Sequence, residues 1–116
     1  MIATLLGSVL LVAAVSGCCQ VDKDQTANEM KGKLESAIPV GTSANAAEAR
    51  LRERGFEVVR MTDASFVEGQ HVREHADFIY GDRMDGCIVK RRWQVAAVLN
   101  GDSVSEIVVS TGLEGP

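Results

Sequence analysis

Apolar residues recur along the chain with two different periods. Ala27, Met30, Leu34 and Ile38 are spaced by three and four, one face of a helix from about Thr26 to Ala37. Lys31, Lys33 and Glu35 fall off that stripe, and Pro39 and Gly41 end it. Ser43 then stands where a helix cap belongs, and Ala44, Ala47 and Leu51 line a second helix. Glu48 lies early in it, while Arg50, Arg52 and Arg54 crowd its end, in keeping with the helix dipole. Gly55 supplies a left-handed stop.

From Phe56 the period changes to two. Residues 56–61 (FEVVRM) read as a strand, 62–76 as a long polar loop and 76–82 as a second strand, with a turn at Asp82 to Gly86. Ile88 to Leu99 reads as a long strand and Val104 to Thr111 as the last. For the final hairpin, a three-residue loop at Asn100 to Asp102 sets Val95 opposite Ile107 and Trp93 opposite Val109, which groups apolar residues. The expected fold is therefore α+β. Two N-terminal helices pack on an antiparallel sheet of three to four strands, a two-layer sandwich over residues 26–116. In that register Ala96, Val98, Val104 and Val108 share the face away from the helices, a candidate protein-binding patch unless another segment covers it.

The first 17 residues follow neither period. Ile2 to Gly17 is uncharged and rich in Ala, Val, Leu and Ile. It is short for a membrane span, which needs about 20 residues, and suits a secretory signal peptide. Val15-Ser16-Gly17-Cys18 resembles the lipobox of bacterial lipoproteins: an aliphatic residue, two small ones, then an obligatory Cys. The alternatives to a lipoprotein signal are a plain secretory signal and a buried hydrophobic helix. The resemblance implies diacylglycerol on the Cys18 sulfur and cleavage before it. It also implies membrane lipid as a partner and a cell-envelope location, with the outer membrane favoured because Asp does not follow Cys18. Residues 1–17 would be the signal and 18–25 a tether.

The chain has 116 residues and a formal net charge of −4, which suits one soluble domain and argues against general nucleic-acid binding. In an oxidising exported space Cys19 and Cys87 could bridge, but the expectation for Cys87 is a small buried hydrophobe.

Candidate chemistry is sparse. His71-Val-Arg-Glu74-His75 matches the H-x-x-E-H of inverted zinc peptidases, yet it sits in a polar stretch and not on a helix. Incidental metal binding would involve His71, His75 and Asp77. Asp82 and Asp85 read as turn chemistry, not a calcium loop. Lys90 and Arg92 point opposite to Arg91 and Trp93, so the basic run makes no single face. No catalytic residues, metal or cofactor are assigned.

The stretch SAIPVGTSANAAEARLRERGF resembles the opening of the SmpA/OmlA (BamE-like) superfamily of small envelope lipoproteins. There a helix leads through a hydrophobic-Gly-small turn (here Ile38 to Ser43) into a second helix and then antiparallel strands. The resemblance implies a two-layer sandwich used for protein contacts. The expected function is thus a lipid-anchored, non-enzymatic protein-binding or scaffold module in the cell envelope. The competing expectation is a metal- or redox-active periplasmic module using His71, His75 and Cys87.

Overall fold

The computed structural model describes residues 25–114. The expected signal peptide, Cys18, Cys19 and most of the expected tether lie outside the described residues. Helix α1 spans Ala27–Ala37 and helix α2 Ala44–Glu53. Four strands follow: β1 Glu57–Glu68, β2 His71–Gly86, β3 Lys90–Asn100 and β4 Ser103–Glu114. They form one antiparallel sheet in the order β1-β2-β3-β4. The fold is α+β, with the helices on one face of the sheet.

Local chemistry sets both helices. The Thr26 hydroxyl accepts a 3.1 Å bond from the Glu29 N–H, and the Ser43 hydroxyl accepts one of 3.2 Å from the Ala46 N–H. Helix α2 ends in a Schellman motif: Phe56 N–H donates to Leu51 O and Gly55 N–H to Arg52 O, with Gly55 at φ +86°. Phe56 and Leu51 meet in the core as that motif favours. Arg83 then reaches over the helix end. It donates to Arg54 O at 3.0 Å, lies 5.1 Å from the Phe56 ring and pairs with Asp85.

The helix-side core is built from Met30, Leu34, Ile38, Leu51, Ile79 and Trp93, among others. Ala44 and Ala47 are fully buried, and as alanines they let α2 approach the sheet closely. The link between the helices also pairs with the start of β4. Gly41 N–H donates to Val104 O, Val104 N–H to Thr42 O and Ala44 N–H to Asp102 O, each at 2.8 Å. This covers part of an edge strand that would otherwise expose its hydrogen-bonding groups.

Four sequence expectations change. Residues 62–76 are not a loop: β1 and β2 continue through them to a tight turn at Gly69 and Gln70. Asp82 to Gly86 is strand, and the turn falls at Cys87 to Val89. The last hairpin sets Val95 opposite Val109 and Trp93 opposite Thr111, two residues from the expected register. Its tight turn is Gly101-Asp102, with Gly101 at φ +66°, and an irregularity follows between the Val98–Glu106 and Leu99–Val104 pairs. That bulge leaves Ser105 as the extra residue and turns Val104 onto the helix side, where it is buried. Val104 therefore does not share a face with Ala96, Val98 and Val108.

The burial pattern ranks substitutions. Leu51→Ala should cost about 2–5 kcal/mol, because the fully buried side chain leaves a cavity between helix and sheet. Val40→Ala, in the exposed helix link, should stay within about 0.5 kcal/mol. Urea denaturation of both variants checks the ranking.

Candidate functional site

The outer face of the sheet, away from the helices, carries a second apolar cluster of Phe78, Ala96, Val98 and Val108. The patch expected there is not open. Val98 and Val108 are each only 9 % exposed, and Ala96 less. Their cover is the far part of the β1–β2 hairpin, which runs past the end of β3 and folds back over the sheet.

The bend has a clear local cause. Asp63 and His75 both adopt positive φ, +50° and +56°, uncommon for residues other than glycine. They face each other across the hairpin, and the pairing of β1 with β2 shifts on both sides of Ala64. The Asp63 N–H donates to Asp77 Oδ1 at 2.9 Å, and the Asp63 carboxylate meets His75 Nδ1 at 2.8 Å. These contacts hold two backbone conformations that would otherwise be disfavoured by about 1–3 kcal/mol each.

Beyond the bend, the Phe66 ring lies edge-on to Phe78, with centroids 4.8 Å apart and planes at 62°. The Arg73 guanidinium stacks 5.4 Å from the Phe66 ring and pairs with Glu68 and with Glu106 of β4. The hydrogen bond to Glu106 and its charge hold the Arg73 guanidinium above its already high ordinary pKa. Arg73 thus fastens the arm to the far edge of the sheet, while Phe66 fills the space beneath.

The cover is incomplete. A cleft of about 270 Å³ remains between arm and sheet, bounded by Phe66, Val67, Tyr80, Ala96, Val108 and the polar pair Gln94 and Ser110, among others. Gln94 Nε2 donates to Tyr80 Oη at 2.7 Å, so a polar contact sits beside the apolar part of the wall. Val67 stands at the rim, 62 % exposed. Of the four residues expected to bind protein, Ala96 and Val108 floor this cleft, Val98 is buried under the arm, and Val104 belongs to the other core. Phe66 and Tyr80 complete it. Phe66 was hidden from sequence reasoning because its segment read as a loop.

His71 and His75 lie near the turn of the arm, on a strand and not a helix, so H-x-x-E-H lacks its zinc-binding spacing. Among the described residues no three of His, Cys, Asp or Glu gather to hold a metal ion. Cys87 lies past the opposite end of β2, twelve residues from His75, on the order of 40 Å of strand. The fold does not bring His71, His75 and Cys87 together. Nor is Cys87 the buried hydrophobe expected: it is exposed in the β2–β3 turn and is disulfide-bonded. Its partner lies outside the described residues, where the chain's other cysteines, Cys18 and Cys19, are adjacent. Arg92 pairs with Asp82 at 3.0 Å on the outer face, whereas Arg91 lies 4.9 Å from the Trp93 ring and donates to the Gln25 carbonyl oxygen.

No protein-family model, curated protein or solved structure matches this chain.

Phe66→Ala should destabilise the domain by about 1–3 kcal/mol through lost packing on Phe78. A double-mutant cycle of Arg73→Ala and Glu106→Ala should give a coupling of only about 0.2–1 kcal/mol, since both side chains are partly exposed. Chemical denaturation of the variants measures both; a coupling of zero would remove Glu106 as the anchor of the arm.

Proposed function

We propose that this chain is a lipid-anchored protein of the bacterial cell envelope, acylated at Cys18, that works as a non-enzymatic protein-binding or scaffold module. The observation that carries the binding role is the cleft beneath the folded arm. Its walls of Phe66, Tyr80, Ala96 and Val108 suit an apolar side chain from a partner protein. The Gln94–Tyr80 hydrogen bond offers a polar handle for a peptide backbone. Val67 at the rim extends the contact surface. The walls hold amide, hydroxyl and hydrocarbon groups, and the reading assigns them recognition and not bond breaking.

Support for the anchor comes from Val15-Ser16-Gly17-Cys18, in which a thiol acyl acceptor follows small residues that leave the backbone open to a peptidase. Acyl chains contribute about 0.8 kcal/mol per buried CH₂, so several chains on Cys18 hold a small domain firmly at a membrane. The outer membrane, on its periplasmic side, is the favoured location. The resemblance to the small envelope lipoproteins agrees in the order helix, turn, helix, strands.

Two measurements test the proposal. The intact mass of protein extracted from bacterial membranes should show loss of residues 1–17 and gain of acyl chains. Cys18→Ala should be unacylated and released from the membrane. A photo-crosslinking residue at Val67 should give a discrete protein adduct in the envelope, and filling the cleft with Ala96→Leu should reduce it several-fold. The same probe at Val40, in the helix link, should not give that adduct. An unacylated wild-type mass overturns the anchor; an adduct insensitive to Ala96→Leu overturns the cleft as the binding site.

A further inference from the structure

The end of the sheet at the β2–β3 turn gathers several unusual features. Ile88 is 77 % exposed and Val89 39 %. Met84 and Leu113 add further exposed apolar surface near that end of the sheet, and Lys90 is exposed beside them. Two carboxylates of this end are paired, Asp82 with Arg92 and Asp85 with Arg83, while Glu57 is exposed opposite Asp82. Cys87, the first residue of the turn, is disulfide-bonded. The N-terminal segment enters at this end, where the Gln25 carbonyl accepts from Arg91.

We propose that Cys87 is bonded to Cys19 and that this clamp presses the β2–β3 turn, led by Ile88, Val89 and Lys90, onto the lipid surface. The proposal rests on acylation of Cys18, which takes that sulfur and leaves Cys19 as the bonding thiol. Six residues from Cys19 to Gln25 can span up to ~20 Å, enough to bring Cys19 to the turn. Consecutive Cα atoms are about 3.8 Å apart and disulfide-linked ones about 4.4–6.8 Å. Cys87 would then lie on the order of 10 Å from the lipidated residue, too close for its neighbours to avoid the membrane interface. Exposed Ile and Val beside a Lys suit that boundary: the apolar side chains enter the acyl region while the ammonium stays at the headgroups.

The bond forms by thiol–disulfide exchange with a disulfide donor protein of the oxidising exported space. The thiolate of one cysteine attacks the donor's disulfide, and the other cysteine's thiolate resolves the mixed disulfide. The donor leaves as a dithiol, carrying the two electrons and two protons.

The test uses the full-length acylated protein in liposomes containing brominated phospholipid. A non-reduced digest should yield a Cys19–Cys87 cross-linked peptide with acyl chains on Cys18. In Ile88→Trp, bromine should lower the added emission by about twofold or more, since the residue sits at the interface. Val40→Trp, in the link at the other end of the sheet, should not be quenched; the buried Trp93 supplies the same background in both. Cys19→Ser should stay anchored and lose most of the quenching at residue 88. Free thiols on Cys19 and Cys87 beside an acylated Cys18, or no quenching at residue 88, overturn this inference and leave the anchor standing. Quenching unchanged in Cys19→Ser overturns the clamp. An unacylated Cys18 joined to Cys87 overturns the anchor and this inference together.

Discussion

A single-layer sheet cannot leave two apolar faces in water, and this sheet has apolar side chains on both. One face is covered by the helices. The other carries Phe78, Ala96, Val98 and Val108, and no third layer follows in the described chain. The β1–β2 hairpin resolves the conflict by being longer than the sheet needs and by bending back. Each large side chain it covers is worth about 1.5–3 kcal/mol, so Phe78, Val98 and Val108 together outweigh the strain of about 1–3 kcal/mol at each of the two left-handed residues of the bend. The cleft, the buried state of the expected patch and the position of Arg73 all follow from that bend.

The opposite end of the molecule obeys a different constraint. There the cores are closed by arginines in place of chain. Arg83 lies over Phe56 and holds the end of α2, and Arg91 lies over Trp93 and holds the chain at Gln25. Planar guanidinium groups can stack on rings and donate to carbonyls at once, which suits such rims. The two ends thus divide the work proposed for the protein. The arm end forms the cleft, and at the turn end Arg91 holds the chain at Gln25.

Legibility in the sequence followed the strength of local signals. Both helices could be read because their caps and their three-and-four spacing agree. The central strand β3 could be read because Arg92, Trp93, Gln94 and Val95 alternate polar with apolar and the run to Leu99 stays apolar on both faces. The arm could not. Its bulges near Ala64 break the period of two, and positive φ at Asp63 and His75 is invisible in residue types that also favour loops. Val104 shows how one residue changes a face: alternation put it outside, and the extra Ser105 turned it in. Cys87 was misplaced for a related reason, since Asp85-Gly86 looks like a turn although the chain turns one step later. Of the candidate site, Ala96 and Val108 were found from alternation, whereas Phe66 required knowing that the hairpin folds over.

The folded arm is the central claim, and solution NMR of the chain from Cys18 onward tests it most directly. Nuclear Overhauser contacts from the Phe66 ring to the Phe78 ring and the Val108 methyls are expected, with Ala96 and Val98 shielded from a soluble paramagnetic probe. A Phe66 ring without those contacts, and an Ala96–Val98 surface relaxed by the probe, would mean the arm stands away from the sheet and no cleft exists.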